Sequence, residues 1–201
     1  MADSHKIAIT ILAAGESSRM HELKQLLPWG DTTLLGNAIN VAGECEADII
    51  YVVLGAKAAE VQARNEGIGA EWVLNKTWEE GMGSSIACAM NHILISGKKF
   101  DGVLFMLCDQ PFISAEHLNR IIDIFRNSDK GIIGTTHANS IGVPVLFHNK
   151  YFEELSKLEG KTGAKKLISS NPDDVIQLFA EGMGIDLDTK EEYEQALKSI
   201  T

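Results

Sequence analysis

The residues best suited to chemistry follow an apolar, partly β-branched run at Ile7–Leu12. Ala13, Ala14 and Gly15 come next, and a backbone that carries so little side chain can approach a ligand closely. Two hydroxyls and two cations then follow in the sequence: Ser17, Ser18, Arg19 and Lys24. Exposed backbone N–H groups beside fixed cations form a cradle for phosphate oxygens. The stretch therefore predicts a phosphate-binding loop, with a surface turn that carries two solvated bases as the alternative.

Three other stretches carry groups that suit a nucleotide or a metal. Asn75–Ser85 places glycines and serines before a predicted helix, where backbone N–H groups and hydroxyls can hold a base edge, a ribose or an anion. It could equally be an ordinary capped helix start. Asp109 follows an apolar run and precedes Gln110-Pro111, so its carboxylate could hold Mg²⁺ or cap the turn.

A second carboxylate for such a metal comes from Asp186-Leu187-Asp188-Thr189. The two aspartates alternate along a predicted strand and so point the same way. Asp188 is the favoured ligand and Asp186 is the second choice, although Asp188 could instead cap the last helix.

The elements that must position these groups alternate between strand and helix. Predicted strands lie at 7–12, 48–54, 71–74, 102–107, 131–134, 143–147 and 175–179. Predicted helices run from Thr32 or Thr33 to about 41, then over 58–65, 84–95, 114–125, 151–158, 164–169 and 189–198. Pro28–Asp31 reads as a turn, and 137–142 as a flexible segment.

This alternation predicts an α/β fold: one domain over residues 1–201, with a three-layer, Rossmann-like, mostly parallel sheet and helices on both faces. Ligands bind beyond the carboxyl ends of the strands in such sheets. Because Ala13–Lys24 and Asp109 both follow strands, they should project to the same rim.

Composition narrows the class of protein. A formal net charge of −10 argues against general nucleic-acid binding, and no apolar run approaches the roughly 20 residues of a membrane span. The start of the chain lacks the pattern of a secretory signal. Cys45, Cys88 and Cys108 show no paired spacing, as expected of reduced thiols in a cytoplasmic protein.

The motifs also carry a family resemblance. Leu12-Ala13-Ala14-Gly15-x-Ser17-x-Arg19-Met20, followed by Lys24, resembles the signature of the MobA-like nucleotidyltransferases, and most closely that of the molybdenum cofactor cytidylyltransferases. Asn-x-x-Trp-x-x-Gly-Met-x-Ser-Ser from Asn75 resembles the second motif of that family. Asp109-x-Pro and the Asp186–Tyr193 segment resemble its metal-binding motifs.

This resemblance implies a nucleotide-diphospho-sugar transferase type of fold and a role for each motif. The first loop would wrap the triphosphate; its residues are Leu12, Ala13, Ala14, Gly15, Ser17, Arg19 and Lys24. Gly81 and Met82 would line the base pocket, and Ser84 and Ser85 would contact the nucleotide. Asp109 with Asp188 or Asp186 would hold Mg²⁺, while Arg19 and Lys24 would neutralise pyrophosphate.

Two further segments resemble parts of the family that face the second substrate. Gly142-x-Pro144 resembles a Gly-x-Pro strand, and the stretch from Gly160 to Lys165 resembles a Gly-Asp-x-Gly-Ala-Arg motif. This sequence has Lys161 and Lys165 in place of the Asp and the Arg, and lysine keeps charge but loses bidentate phosphate recognition. His21 also stands where the family has a glycine, and Lys190 where it has a proline.

The expected reaction is transfer of CMP from CTP to a phosphorylated acceptor, a molybdopterin-type cofactor by resemblance, with release of pyrophosphate. The product would pass to a molybdoenzyme or its chaperone. Ala14 goes with cytidine by resemblance alone, so GTP stays open. The rival hypotheses are transfer to a sugar or polyol phosphate, a non-catalytic nucleotide- or pterin-binding chaperone, and a nicotinamide-dependent redox enzyme. The redox hypothesis is weakened because the sequence lacks a full glycine fingerprint for dinucleotide binding and has only Gly81-x-Gly83.

Overall fold

The computed structural model describes residues 5–16, 20, 22–65, 67, 69–137, 140–180 and 182–200. The strands are Ile7–Ala13 (β1), Pro28–Trp29 (β2), Thr32–Thr33 (β3), Ile49–Leu54 (β4), Glu71–Leu74 (β5), Gly102–Leu107 (β6), Ile132–His137 (β7), Ser140–His148 (β8) and Val175–Phe179 (β9). The α-helices are Leu34–Gly43 (α1), Ala58–Arg64 (α2), Met82–Ile95 (α3), Ala115–Asn127 (α4), Phe152–Leu155 (α5), Lys165–Ser170 (α6) and Lys190–Ile200 (α7). Short 3-10 helices lie at Lys24–Leu26, Trp78–Glu80, Asn149–Tyr151 and Pro172–Asp174.

The main sheet has seven strands in the order β5-β4-β1-β6-β8-β7-β9. Strands β5, β4, β1 and β6 are parallel, β8 runs antiparallel to both of its neighbours, and β9 is parallel to β7. Leu12 of β1 lies opposite Leu107 of β6, so these two strands end at the same rim. Because β8 is antiparallel to β6, its first residues reach that rim as well.

Alternating side chains of β1 bury both faces of the sheet. Ile7, Ile9 and Ile11 belong to a core that includes Leu35 of α1 and Ile121 of α4. Ala8 and Leu12 face a second core, which is built with residues of α3, α5 and α6 such as Ile86, Met90, Phe152 and Leu167. Each fully buried Ile or Leu contributes about 1.5–3 kcal/mol. The three-layer α/β fold is therefore confirmed.

Most predicted elements are present, with local corrections. Where the sequence predicted a turn at Pro28–Asp31, β2 and β3 form a small antiparallel hairpin whose left-handed turn is at Gly30. Helix α3 begins at Met82, before the predicted start at residue 84. The predicted flexible segment 137–142 is strand at its described ends, and the predicted helix over 151–158 shortens to α5.

Two predicted helix caps are present in the structure. Thr33 Oγ1 accepts a hydrogen bond from the backbone N–H of Gly36 at 3.0 Å, and Ser114 Oγ accepts one from His117 at 3.2 Å. Such caps stabilise a helix by about 1 kcal/mol. Within the described ranges, no helix is both long enough and apolar enough to cross a membrane.

Candidate active site

A cavity of about 250 Å³ opens at the carboxyl rim, where β1 and β6 end; we call it the first cavity. Most of the predicted nucleotide-contacting residues line it, together with four that the sequence did not single out. The lining residues are Leu12, Ala13, Ala14, Gly15, Lys24, Gln25, Trp78, Gly81, Met82, Ser85, Leu107, Cys108 and Asp109. Ser17 and Arg19 lie outside the described residues. The rim therefore gathers segments that are nearly a hundred residues apart in the sequence.

The charged centre of this rim is Lys24, at the start of the 3-10 helix Lys24–Leu26. Its Nζ lies 3.2 Å from Asp109 Oδ2 and 2.5 Å from Asp188 Oδ1. The side chain of Lys24 is 12% exposed and that of Asp109 20%, so this ion pair is shielded, whereas Asp188 is 47% exposed. One ammonium group thus holds the two carboxylates that were predicted to bind a metal.

Asp188 reaches Lys24 because Leu187 anchors its segment. The Leu187 side chain is fully buried in a cluster with Met20, Leu27, Trp29, Leu34 and Ala196, with Phe112, Tyr193 and Leu197 packed around it. The Leu187 backbone N–H donates to the Asp109 carbonyl at 3.0 Å. The predicted strand over 186–188 is wrong, because this segment forms no sheet ladder.

Capping of the last helix falls to Thr189 and not to Asp188. Thr189 Oγ1 accepts from the Glu192 backbone N–H at 3.2 Å, while Glu192 Oε2 accepts from the N–H groups of Asp188 and Thr189 at 2.9 and 2.8 Å. This reciprocal pair is a capping box. It leaves the Asp188 carboxylate for Lys24.

Burial and charge act in opposite directions on this cluster. Burial disfavours the ammonium form of Lys24, but its hydrogen bond to Asp188 and the charges of both carboxylates outweigh burial and raise the pKa of Lys24. Burial raises the pKa of Asp109, since the nearby Lys24 charge only partly offsets the loss of hydration. Lys24 is therefore a fixed cation at neutral pH.

Asp109 offers an oxygen that suits a metal. Its Oδ1 is buried and has no hydrogen-bond partner among the described residues, while Oδ2 bonds to Lys24. An unpaired buried carboxylate oxygen is costly, and a hard cation would satisfy it. No group of three or more His, Cys, Asp or Glu that could hold a metal occurs in the described part of the chain. One or two carboxylates suffice for Mg²⁺ when phosphate and water supply the other ligands.

Gln25 fixes the loop that follows β1. Its Nε2 donates to the carbonyl of Ala13 at 2.8 Å and to that of Gly15 at 2.7 Å. The side chain is 2% exposed. A buried amide that holds two loop carbonyls determines the shape of the small-residue stretch, and no local pattern in the sequence distinguishes this glutamine from any other.

The two predicted serines of α3 differ in their surroundings. Ser84 Oγ lies 2.8 Å from the Gly81 carbonyl and accepts from Asn75 Nδ2 at 3.0 Å, and Ser84 is absent from the lining of the first cavity. Ser85 also accepts from Asn75, at 3.1 Å, but it does line the cavity. Ser84 therefore shapes the loop, while Ser85 is placed to meet a ligand.

A second loop packs against the start of α3. The Gly83 backbone N–H donates to the Gly160 carbonyl at 2.8 Å, so this N–H group is not available to an anion. A side chain at Gly83 would meet the backbone oxygens of Glu159 and Gly160, because an added Cβ would lie 2.5 and 2.8 Å from them. Only a glycine lets the 159–163 loop pack this closely against the helix.

We expect Gly83→Ala to lower the free energy of unfolding by about 1–3 kcal/mol, because backbone must move to admit the methyl group. Gly43→Ala is the matched control, since Gly43 also lies in a helix but an added Cβ meets nothing within 4 Å. That change should be neutral or slightly stabilising. Urea denaturation of both proteins measures the difference. Equal stabilities would contradict the close packing of the loop on α3.

A second cavity, of about 230 Å³, adjoins the first and shares Met82 and Leu107 with it. Apolar side chains dominate its lining, which comprises Met82, Ile86, Phe105, Leu107, Gln110, Ser140, Ile141, Gly142, Val143, Val145, Phe147, Thr162, Ala164, Lys165, Ile168, Gly184 and Asp186. Two of the three residues predicted to bind the acceptor, Gly142 and Lys165, are among them. Pro144 is not, and its carbonyl instead accepts from Thr135 Oγ1 at 2.7 Å.

Asp186 lies in the second cavity and away from Lys24. Its Oδ1 accepts from Gln110 Nε2 at 2.7 Å, whereas Lys24 bonds to Asp109 and Asp188. The two aspartates were predicted to point the same way, as first and second choice for one metal ligand, and in the structure they have different partners. Asp188 faces the first cavity's cation, and Asp186 faces the neighbouring cavity.

Comparison with known proteins agrees with this fold. The family model described as the MobA-like NTP transferase domain matches residues 9–175. Rv0371c from Mycobacterium tuberculosis H37Rv is 32% identical, with a TM-score of 0.84 over 97% of this chain and 98% of that one. A structure of Rv0371C in complex with manganese is 31% identical, with a TM-score of 0.81 over 96% of this chain and 99% of that one.

Other relatives carry different names. Purine catabolism protein PucB of Bacillus subtilis is 26% identical over 94% of this chain and 95% of its own length. Nicotine blue oxidoreductase of Paenarthrobacter nicotinovorans is 29% identical, covering 96% and 98%. A probable molybdenum cofactor guanylyltransferase of Bacillus cereus is 27% identical, covering 98% of both. The family match spans most of the chain, and the chain therefore belongs to the MobA-like NTP transferase family.

Proposed function

We propose that this protein transfers CMP from CTP to a phosphorylated acceptor of the molybdopterin type and releases pyrophosphate. The observation that carries the proposal is the Lys24 ammonium, held between Asp109 and Asp188 beside the small-residue end of β1. A lysine, a pair of carboxylates and an open backbone meet at the rim where ligands of α/β sheets bind. Membership of an NTP transferase family supports the same reaction class.

The residues of the chain act mainly by positioning and by charge. Ala13, Ala14 and Gly15 let the triphosphate approach the backbone, and Lys24 neutralises charge that grows on the pyrophosphate. Arg19 remains a predicted second cation. Asp109 and Asp188 would hold Mg²⁺, which when bound supplies Lewis-acid polarisation of the phosphates. Manganese in the Rv0371C structure supports a divalent ion for the family.

The two adjoining cavities suit an in-line transfer. Met82 and Leu107 line both, so ligands in the two cavities would lie next to each other. The acceptor phosphate would attack the α-phosphorus from the second cavity, with Lys165 as its predicted cation. No side chain needs to form a covalent intermediate. The nucleotidylated product would then pass to a molybdoenzyme or its chaperone.

The proposal is tested by nucleotide binding and pyrophosphate release. Because a ligand that binds only the native state stabilises it by about 2.7 kcal/mol at a hundred times its Kd, CTP with Mg²⁺ should raise the melting temperature by about 5–10 °C. GTP, ATP and UTP should raise it less, and omission of Mg²⁺ should remove most of the shift. Pyrophosphate release with molybdopterin should follow the same order. A larger shift with GTP would change the base assignment, and no shift with any triphosphate would end the proposal.

The similarity to nicotine blue oxidoreductase supports a second candidate, a nicotinamide-dependent redox reaction. The same screen separates the two. Nucleotide transfer predicts stabilisation by a triphosphate with magnesium and no loss of NADH absorbance. A redox enzyme would be stabilised by NADH or NADPH without magnesium.

A further inference from the structure

We propose that Gln110 and Asp186 together select the acceptor, with the Gln110 amide oxygen accepting a hydrogen bond from an N–H or O–H group of a flat, largely apolar ring system. This inference rests on the proposed function, because it concerns the acceptor of that transfer. Neither residue was predicted for this role. The sequence predicts Asp186 as the second choice for a metal ligand and indicates no role for Gln110.

The first observation is that Asp186 fixes the orientation of the Gln110 amide. Gln110 Nε2 lies 2.7 Å from Asp186 Oδ1. A carboxylate only accepts hydrogen bonds, so the amide must turn its NH₂ group toward Asp186. Exchange of the amide oxygen and nitrogen would place two acceptors against each other. Oε1 is therefore left as the group that the amide can offer to a ligand.

The second observation is that this oxygen has no partner. Gln110 is 5% exposed, and its Oε1 is buried without a hydrogen-bond donor among the described residues. Buried side-chain oxygens nearly always have a partner, so an unpaired one calls for an explanation. Gln110 also lines the second cavity. Because the last torsion of glutamine is broad, the amide can rotate to meet a ligand donor.

The lining of the cavity sets the class of ligand. Its accessible apolar side chains are Met82, Leu107, Ile141 and Val143, whereas Phe105 and Phe147 of the lining are fully buried. Apart from Gln110 and Lys165, the lining offers only Ser140, Thr162 and Asp186 as polar side chains, so a sugar or polyol with more hydroxyls than these can pair would lose affinity for each one buried. A planar heterocycle with one donor edge buries its apolar faces and pairs that edge with Gln110. Among the described residues that line this cavity, Lys165 is the one cation, and it could pair with the phosphate of the acceptor.

The test uses two probes of equal ring size. Pterin carries N–H donors, and 1,3-dimethyllumazine has methyl groups on both pyrimidine ring nitrogens and no N–H group. Calorimetric titration of the wild-type protein should show tighter binding of pterin. Gln110→Met, which keeps the length of the side chain, should weaken pterin binding about fivefold to tenfold and leave dimethyllumazine binding unchanged. Gln62→Met in α2, at an exposed position, is the matched control and should bind both probes as the wild type does.

A second variant allows the test to be made even if Gln110→Met does not fold. Asp186→Asn preserves size but lets the Gln110 amide adopt either orientation, because an asparagine can accept as well as donate. The preference for pterin should then shrink toward equal affinity. Equal binding of the two probes by the wild type, or no binding of pterin, overturns the inference.

Failure of this inference can be told from failure of the proposed function. The melting-temperature shift of the wild type with CTP and magnesium reports on nucleotide binding and needs no acceptor. If that shift is present and the pterin preference is absent, only the Gln110 assignment fails. If the shift is absent, the transferase proposal fails whatever the probes do.

Discussion

Asp109→Asn should release pyrophosphate about a thousandfold more slowly than the wild type, while it folds normally. Asn has the same size but removes the charge that would hold the metal, and a loss of about 4 kcal/mol of transition-state stabilisation corresponds to that factor. The fold should tolerate the change because burial already raises the pKa of Asp109, so its charge is not what stabilises the native state. The measurement is turnover at saturating CTP and magnesium.

Asp129→Asn provides the matched control, since Asp129 is an exposed residue of the connection between α4 and β7. It should retain wild-type turnover and melting temperature. An unchanged rate in Asp109→Asn would remove this carboxylate from the chemistry. A large fall in its melting temperature would show instead that the residue acts through the fold.

Lys24→Met should have two effects of opposite sign. Affinity for CTP with magnesium should fall about 10- to 100-fold, because a charge-assisted hydrogen bond to phosphate is lost. Affinity of the nucleotide-free protein for Mn²⁺ should rise about tenfold, because the ammonium that now occupies Asp109 and Asp188 no longer competes for them. Calorimetry gives the first value, and electron paramagnetic resonance of free Mn²⁺ gives the second.

The free energy of unfolding of this variant adds an independent readout. Without the ammonium, two carboxylates face each other with no cation from Lys24, so the metal-free variant should be less stable than the wild type. Addition of Mn²⁺ should restore much of the loss. Lys99→Met, at an exposed position before β6, should change none of these values. Equal Mn²⁺ affinity in Lys24→Met and the wild type would mean that lysine and metal do not share the carboxylates.

The sequence predicts the layers of this fold well, because hydrophobic patterns and turn residues are local signals. The run at 7–12 and the run at 102–107 correspond to β1 and β6, and Ser114 caps α4 as its position suggests. The strand order depends on contacts between distant residues, and the antiparallel placement of β8 leaves no mark in its own residues. The single-domain prediction stays a prediction.

Some residues of the candidate site could be predicted from the sequence and others could not. Lys24 and Asp109 could be predicted, since each follows a strand that ends at the common rim. The roles of Gln25 and Gln110 could not, because a buried amide is recognisable only by the partners that the fold brings to it. Asp186 and Asp188 have different partners in the structure. The side chain between them, Leu187, is fully buried and anchors a segment that the sequence predicts as a strand.

The reversed direction of β8 has a consequence for engineering. It brings the first residues of β8 to the rim, and the segment 140–168 supplies ten of the seventeen residues of the second cavity but none of the first. Under the proposed function, we expect a graft of this segment from another family member to change the acceptor preference, provided that its 159–163 loop still packs on Gly83. The two cavities therefore draw on largely different segments of the chain.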